Sequence, residues 1–115
     1  MRTITRDELQ ELLREELPPL ILDVLPLENF HKQHLPGALN VPFDEHFDER
    51  VRAMVSDMRR RLVVVCQTLD CTLSEEAARR LDELGYEDVL DYAEGMTDWL
   101  DAGLPVEGER VASQT

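Results

Sequence analysis

The chain has 115 residues, 43% of them hydrophobic, which suits one domain with a self-sufficient core and argues against wholesale disorder. Twenty-five Asp and Glu face twelve basic residues, for a net charge of −13. The excess is even along the chain, so no basic face is left for nucleic acid or for an anionic membrane. No apolar run approaches the ~20 residues of a membrane span, and the N-terminus lacks secretory-signal features, which predicts a cytoplasmic protein.

Thr5 and Glu8 form a capping box, and Leu9, Leu12 and Leu13 follow as an apolar stripe. These predict a helix from about Arg6 to Glu16, stopped by Pro18 and Pro19. Leu20 to Leu25 is a short, nearly continuous apolar run, the pattern of a buried parallel strand. Pro26 opens a short helical stretch, and residues 35–42 hold a Pro-Gly turn with a brief extended segment. Residues 44–61 have a helical pattern with Phe47, Val51, Met54, Val55 and Met58 on one face.

The strongest strand signal is the β-branched run from Leu62 to Val65, ending in Cys66. Six polar or small residues follow. Thr72 and Glu75 then read as a second capping box, opening a helix that closes at Gly85. Val89 to Tyr92 is a short strand and Met96 to Ala102 a short helix ending at Gly103. Residues 1–108 are expected to form the domain and residues 109–115 a polar tail. Strand–helix alternation throughout predicts an α/β domain with a mostly parallel sheet and helices on both faces.

In such sheets, ligands sit beyond the carboxyl ends of the strands, where Cys66 stands. A sulfur nucleophile acts as the thiolate, and backbone N–H groups in a following loop and first helical turn favour that form. A buried, inert Cys is the alternative. Cys66 and Cys71 share one loop in a C-x4-C spacing. Cys71 is therefore either a small loop residue or a resolving thiol that attacks sulfur carried on Cys66 or pairs with it.

Four separated blocks resemble the single-domain rhodanese, or sulfurtransferase, family. Residues 23–42 resemble its DVR-to-HIPGAINIP stretch, with Asp23, Phe30, His34, Pro36, Gly37, Ala38, Asn40 and Pro42 in place. Residues 63–66 are similar to the strand ending in the catalytic cysteine, and residues 74–86 to the helix after the active-site loop. Residues 95–106 resemble the closing segment, Trp99 and Gly103 to Val106 included. The resemblance implies a five-stranded parallel sheet and a double displacement. Cys66 takes the outer sulfur of thiosulfate or another sulfane donor as a persulfide, and passes it to a thiol or cyanide. It implies a substrate-binding loop of Gln67, Thr68, Leu69, Asp70, Cys71, Thr72, Leu73 and Ser74. It implies no cofactor and no metal. Expected partners are a small sulfur donor or a persulfide-bearing protein and a thiol acceptor, with the chain a monomer or weak dimer.

The departures from the family pattern are chemical. Leu73 stands where an Arg usually precedes the helix-opening Ser, and Cys66 to Ser74 is two residues longer than usual. Leu25 replaces the Arg of the DVR-type motif, and Glu94 the first Gly of the closing pair. Asp70 adds an acid to the loop, so an anion such as thiosulfate is expected to be a poor donor. The alternative function is a rhodanese-like binding or regulatory module with little or no catalysis. A phosphatase would need an Arg in the loop to fork a phosphate dianion, and none lies between Cys66 and Ser74. His31, His34 and His46 form no metal-ligand set, Trp99 reads as core, and Arg59 to Arg61 read as cations at a helix end.

Overall fold

The structure, a computed structural model, describes residues 1–108; the tail expected over 109–115 lies outside the described residues. Five parallel strands form one sheet: β1 (Arg2–Thr3), β2 (Leu20–Asp23), β3 (Leu39–Asn40), β4 (Leu62–Val65) and β5 (Val89–Tyr92), in the order β1-β5-β4-β2-β3. The helices are α1 (Arg6–Leu13), α2 (Leu27–Lys32), α3 (Phe47–Met54), α4 (Leu73–Leu84) and α5 (Gly95–Asp101). The predicted α/β class is the observed one, and β4 lies at the centre of the sheet.

All four residues of β4 are fully buried, because alternate side chains enter different layers. Leu62 and Val64 pack with Phe47 and Val51 of α3 and with Ala77, Ala78 and Leu81 of α4. Val63 and Val65 pack on the opposite face with Leu9 of α1 and with Met96 and Trp99 of α5. The sequence therefore shows an unbroken apolar run there, not an alternating one.

Several sequence expectations are corrected. β1 went unrecognised because Arg2 and Thr3 are exposed and polar; they join the sheet only by backbone pairing with Leu90 and Asp91. The first capping box is present, but α1 stops at Leu13, short of Glu16. The residue before a proline is pushed towards extended backbone, so the chain must leave the helix before Pro18. Residues 44–61 are not one helix. α3 ends at Met54, Val55 turns extended (φ −130°, ψ 92°), and the buried Tyr86 hydroxyl donates to the Val55 carbonyl at 2.6 Å. Met54 and Met58 are consequently exposed rather than core. The Arg59–Arg61 run thus does not terminate a helix. Arg61 Nε instead reaches Asp88 at 2.7 Å, and Arg60 donates to the Pro18 carbonyl at 2.8 Å.

Candidate active site

The site grows from the carboxyl end of β4. Cys66 is the first residue past the strand, and it is fully buried. Its backbone is held by the start of α5: the Met96 N–H donates to the Cys66 carbonyl at 3.0 Å, and the Thr97 N–H to the Gln67 carbonyl at 2.9 Å. Gly95 permits that approach. It has φ +71°, and a Cβ there would lie 2.6 Å from the Cys66 carbonyl oxygen. Sequence reading assigned Gly95 no role beyond the closing motif. The signal was a glycine following Glu94, at the second position of the family's Gly-Gly pair.

Cys66 and Cys71 are joined in a disulfide, with Cα atoms 6.5 Å apart. The loop between them is tightened by the Cys71 N–H, which donates to the Thr68 carbonyl at 3.1 Å. Gln67, Thr68 and Cys71 are half-buried, whereas Leu69 and Asp70 are exposed. Leu69, at 69% exposure, is one of the most exposed large apolar side chains described.

The second predicted capping box does not form. Thr72 precedes α4 with helical backbone (φ −89°, ψ −5°), and its side chain makes no cap hydrogen bond. An N-cap needs an extended backbone to aim its oxygen at the N3 amide; here Thr72 Oγ1 donates to Glu76 Oε2 at 3.3 Å instead. The α4 N-terminus beside Cys71 therefore keeps its first-turn amides free of a Thr72 side-chain cap. Ser74 lies in the first turn of α4. It is buried, as is Asp91 on β5, whose burial holds its pKa above the ordinary carboxylate range and whose Oδ1 has no hydrogen-bond partner.

Two clefts flank the loop. One, of about 300 Å³, is mostly apolar, lined by Val24, Pro26, Leu27, Pro42, Phe43 and Leu73 together with the charged pair Asp44 and Arg50. Leu73, the first residue of α4, contributes to this apolar wall. Arg50 is a cation that sequence reading missed, since it lies on α3, far from Cys66 in the chain. Asp44 answers its charge, accepting from Arg50 at 2.9 and 3.1 Å. The other cleft, of about 200 Å³, is polar and brings Gln67 beside Asn29, Lys32 and Gln33. Lys32 is likewise a cation brought towards the loop only by the fold.

The motif residues around Asp23 brace the far side of β4. Asp23 is fully buried, and its Oδ1 accepts the Leu25 N–H at 3.0 Å while Oδ2 has no partner. Burial raises its pKa to about 6. His34 stacks on Phe30 at 3.7 Å, and its Nδ1 pairs with the Phe30 carbonyl at 2.8 Å, as a structural turn residue would. Trp99 is core, donating to the Pro105 carbonyl at 2.8 Å. Among the described residues, no group of three or more His, Cys, Asp or Glu could hold a metal ion, and no helix is long and apolar enough to cross a membrane.

Comparison with known proteins agrees with this architecture. The HTH-type transcriptional regulator Rv0324 of Mycobacterium tuberculosis is 36% identical over 104 residues, covering 90% of this chain and 44% of that protein. The putative sulfur carrier protein YrkF of Bacillus subtilis is 32% identical over 79 residues, covering 69% of this chain and 40% of that protein. This chain thus spans less than half the length of either relative. The thiosulfate sulfurtransferase structure from Pseudomonas aeruginosa is similar at a TM-score of 0.80 and 26% identity, over 95% of this chain and 20% of that one. The rhodanese-like domain model matches residues 5–102, and with the five-stranded parallel sheet and the cysteine at the head of the β4–α4 loop, the chain belongs to the rhodanese-like family.

Proposed function

We propose that this domain is a sulfurtransferase that carries sulfane sulfur on Cys66 in its reduced state. The observation that carries the reading is the position of Cys66, at the end of the central strand and ahead of the α4 N-terminus. An anionic sulfur there is favoured by loop and first-turn N–H dipoles. In the forward step, the Cys66 thiolate attacks the outer sulfur of the donor, and sulfite leaves when the donor is thiosulfate. A thiol or cyanide then takes the outer sulfur. Splitting the transfer in two is covalent catalysis, and the loop amides stabilise the persulfide charge. The apolar Leu73 wall and exposed Asp70 make thiosulfate a weak donor beside a neutral or protein-borne persulfide.

A second reading, a regulatory module without turnover, is favoured by the similarity to a transcriptional regulator across 90% of this chain. Intact-mass measurement separates the two. Reduced protein incubated with thiosulfate should release sulfite, and a Cys71→Ser chain, which keeps the sulfur on Cys66, should gain about 32 Da, the mass of one sulfur; Cys66→Ser should do neither. A native chain that gains no mass and releases no sulfite supports the regulatory reading.

A further inference from the structure

We propose that the domain is a dithiol enzyme that releases sulfide by itself, with Cys71 resolving the persulfide on Cys66. The inference rests on the sulfurtransferase reading above and adds an activity to it. A one-cysteine site needs an external acceptor to discharge its sulfur. Here the second sulfur is built into the same loop. The two cysteines stand 6.5 Å apart at Cα and are bonded to one another, so Cys71 Sγ reaches Cys66 Sγ with the β4 end, the loop and the α4 start in their observed places.

The step balances without an outside oxidant. Cys66 thiolate and thiosulfate give the Cys66 persulfide anion and sulfite. Cys71 then attacks the inner sulfur, Cys66 Sγ. The bond between Cys66 Sγ and the outer sulfur breaks, the Cys66–Cys71 disulfide forms, and the Cys71 thiol proton leaves with the outer sulfur as HS⁻. The outer sulfur is reduced to sulfide, and the two thiols are oxidised to the disulfide. The Cys66–Cys71 bridge has the connectivity that this step produces.

Regeneration consumes a thiol reductant and has a direction. Thiol–disulfide exchange requires access to the sulfur under attack. Cys66 is fully buried and Cys71 is half-buried on the loop beside the exposed Leu69 and Asp70. The reductant therefore bonds first to Cys71 and frees Cys66 as the leaving thiolate, the form that starts the next cycle.

The test is a single turnover. Native protein is reduced, freed of reductant under nitrogen, and mixed with excess thiosulfate. Sulfite, sulfide and intact mass are then read together. The expected result is one equivalent each of sulfite and sulfide per chain, with the two cysteines disulfide-bonded. Cys71→Ser and Cys71→Ala should release sulfite but no sulfide, and keep a gain of about 32 Da on Cys66. If the native chain retains that added sulfur and releases no sulfide, the self-resolving step is overturned while the sulfurtransferase reading stands. If native and variants release neither product, both fall. In a second measurement, oxidised protein is mixed with glutathione, quenched by alkylation and peptide-mapped. The glutathione adduct is expected on Cys71, and an adduct on Cys66 would overturn the order of attack.

Discussion

Gly95→Ala tests whether α5 sets the position of Cys66, the proposed nucleophile. The added methyl would lie 2.6 Å from the Cys66 carbonyl oxygen, so one of the two must move by roughly 0.8 Å to reach ordinary carbon–oxygen contact. Both sides are backbone, so no flexible side chain can absorb the shift. An alanine at φ +71° costs about 1–2 kcal/mol by itself. Stretching the hydrogen bonds from Met96 and Thr97 to the Cys66 and Gln67 carbonyls adds about 1 kcal/mol for each bond lost. The total is about 2–4 kcal/mol. Gly103→Ala is the control, because Gly103 has a similar φ of +73° with nothing within 4 Å of its Cβ position. It should cost only the conformational part. Urea unfolding followed by circular dichroism measures both variants. A shift of this size at the nucleophile should also slow sulfite release from thiosulfate by roughly a hundredfold in the Gly95 variant. If the two variants lie within about 0.5 kcal/mol of each other, the close approach of α5 to Cys66 does not constrain the site.

Three further outcomes are expected. The Asp23 carboxyl is raised from 3.8 to about 6 in the fold, so its contribution to stability is greatest in acid and is lost as pH rises through about 6. That difference is worth roughly 3 kcal/mol, so Asp23→Asn should be more stable than the native chain at pH 7 and should lose this advantage near pH 4; an advantage that does not change with pH would refute the assignment. Asp70 is exposed, so at ~6 Å in water its repulsion of a donor is only about 0.7 kcal/mol per unit charge. Asp70→Asn should therefore speed thiosulfate turnover three- to tenfold at low salt and less at high salt, and equal rates in both buffers would show that this charge does not govern donor choice. Leu73→Arg should lower the thiosulfate KM several-fold by placing a cation on the apolar cleft wall, and an unchanged KM would place the donor's path elsewhere.

The sequence by itself determined the alternation of strands and helices, the central place of Leu62–Val65 and the position of Cys66 beyond it. Those features are local: a β-branched run buried on both faces needs no distant partner to be recognised. The first capping box was legible for the same reason, since Thr5 and Glu8 satisfy each other within one turn. The second was not. Its sequence pattern is equally good, but the backbone at Thr72 arrives from the Cys66–Cys71 loop in a helical conformation that cannot cap. β1 escaped detection because its pairing energy lies in backbone bonds to β5, supplied by residues almost ninety positions away. The apparent helix over 44–61 failed because Tyr86 fastens the Val55 carbonyl, which ends the helix after one good apolar turn. The site divides in the same way. Chain spacing put two thiols in one loop, whereas only the fold bonds them, buries Cys66, leaves Cys71 the more exposed residue, and brings Gly95, Arg50 and Lys32 to the surroundings of the β4 end. A linear pattern records which groups a segment carries. Their distances and exposure arise when separate segments pack together, and those two quantities decide what the cysteines can do.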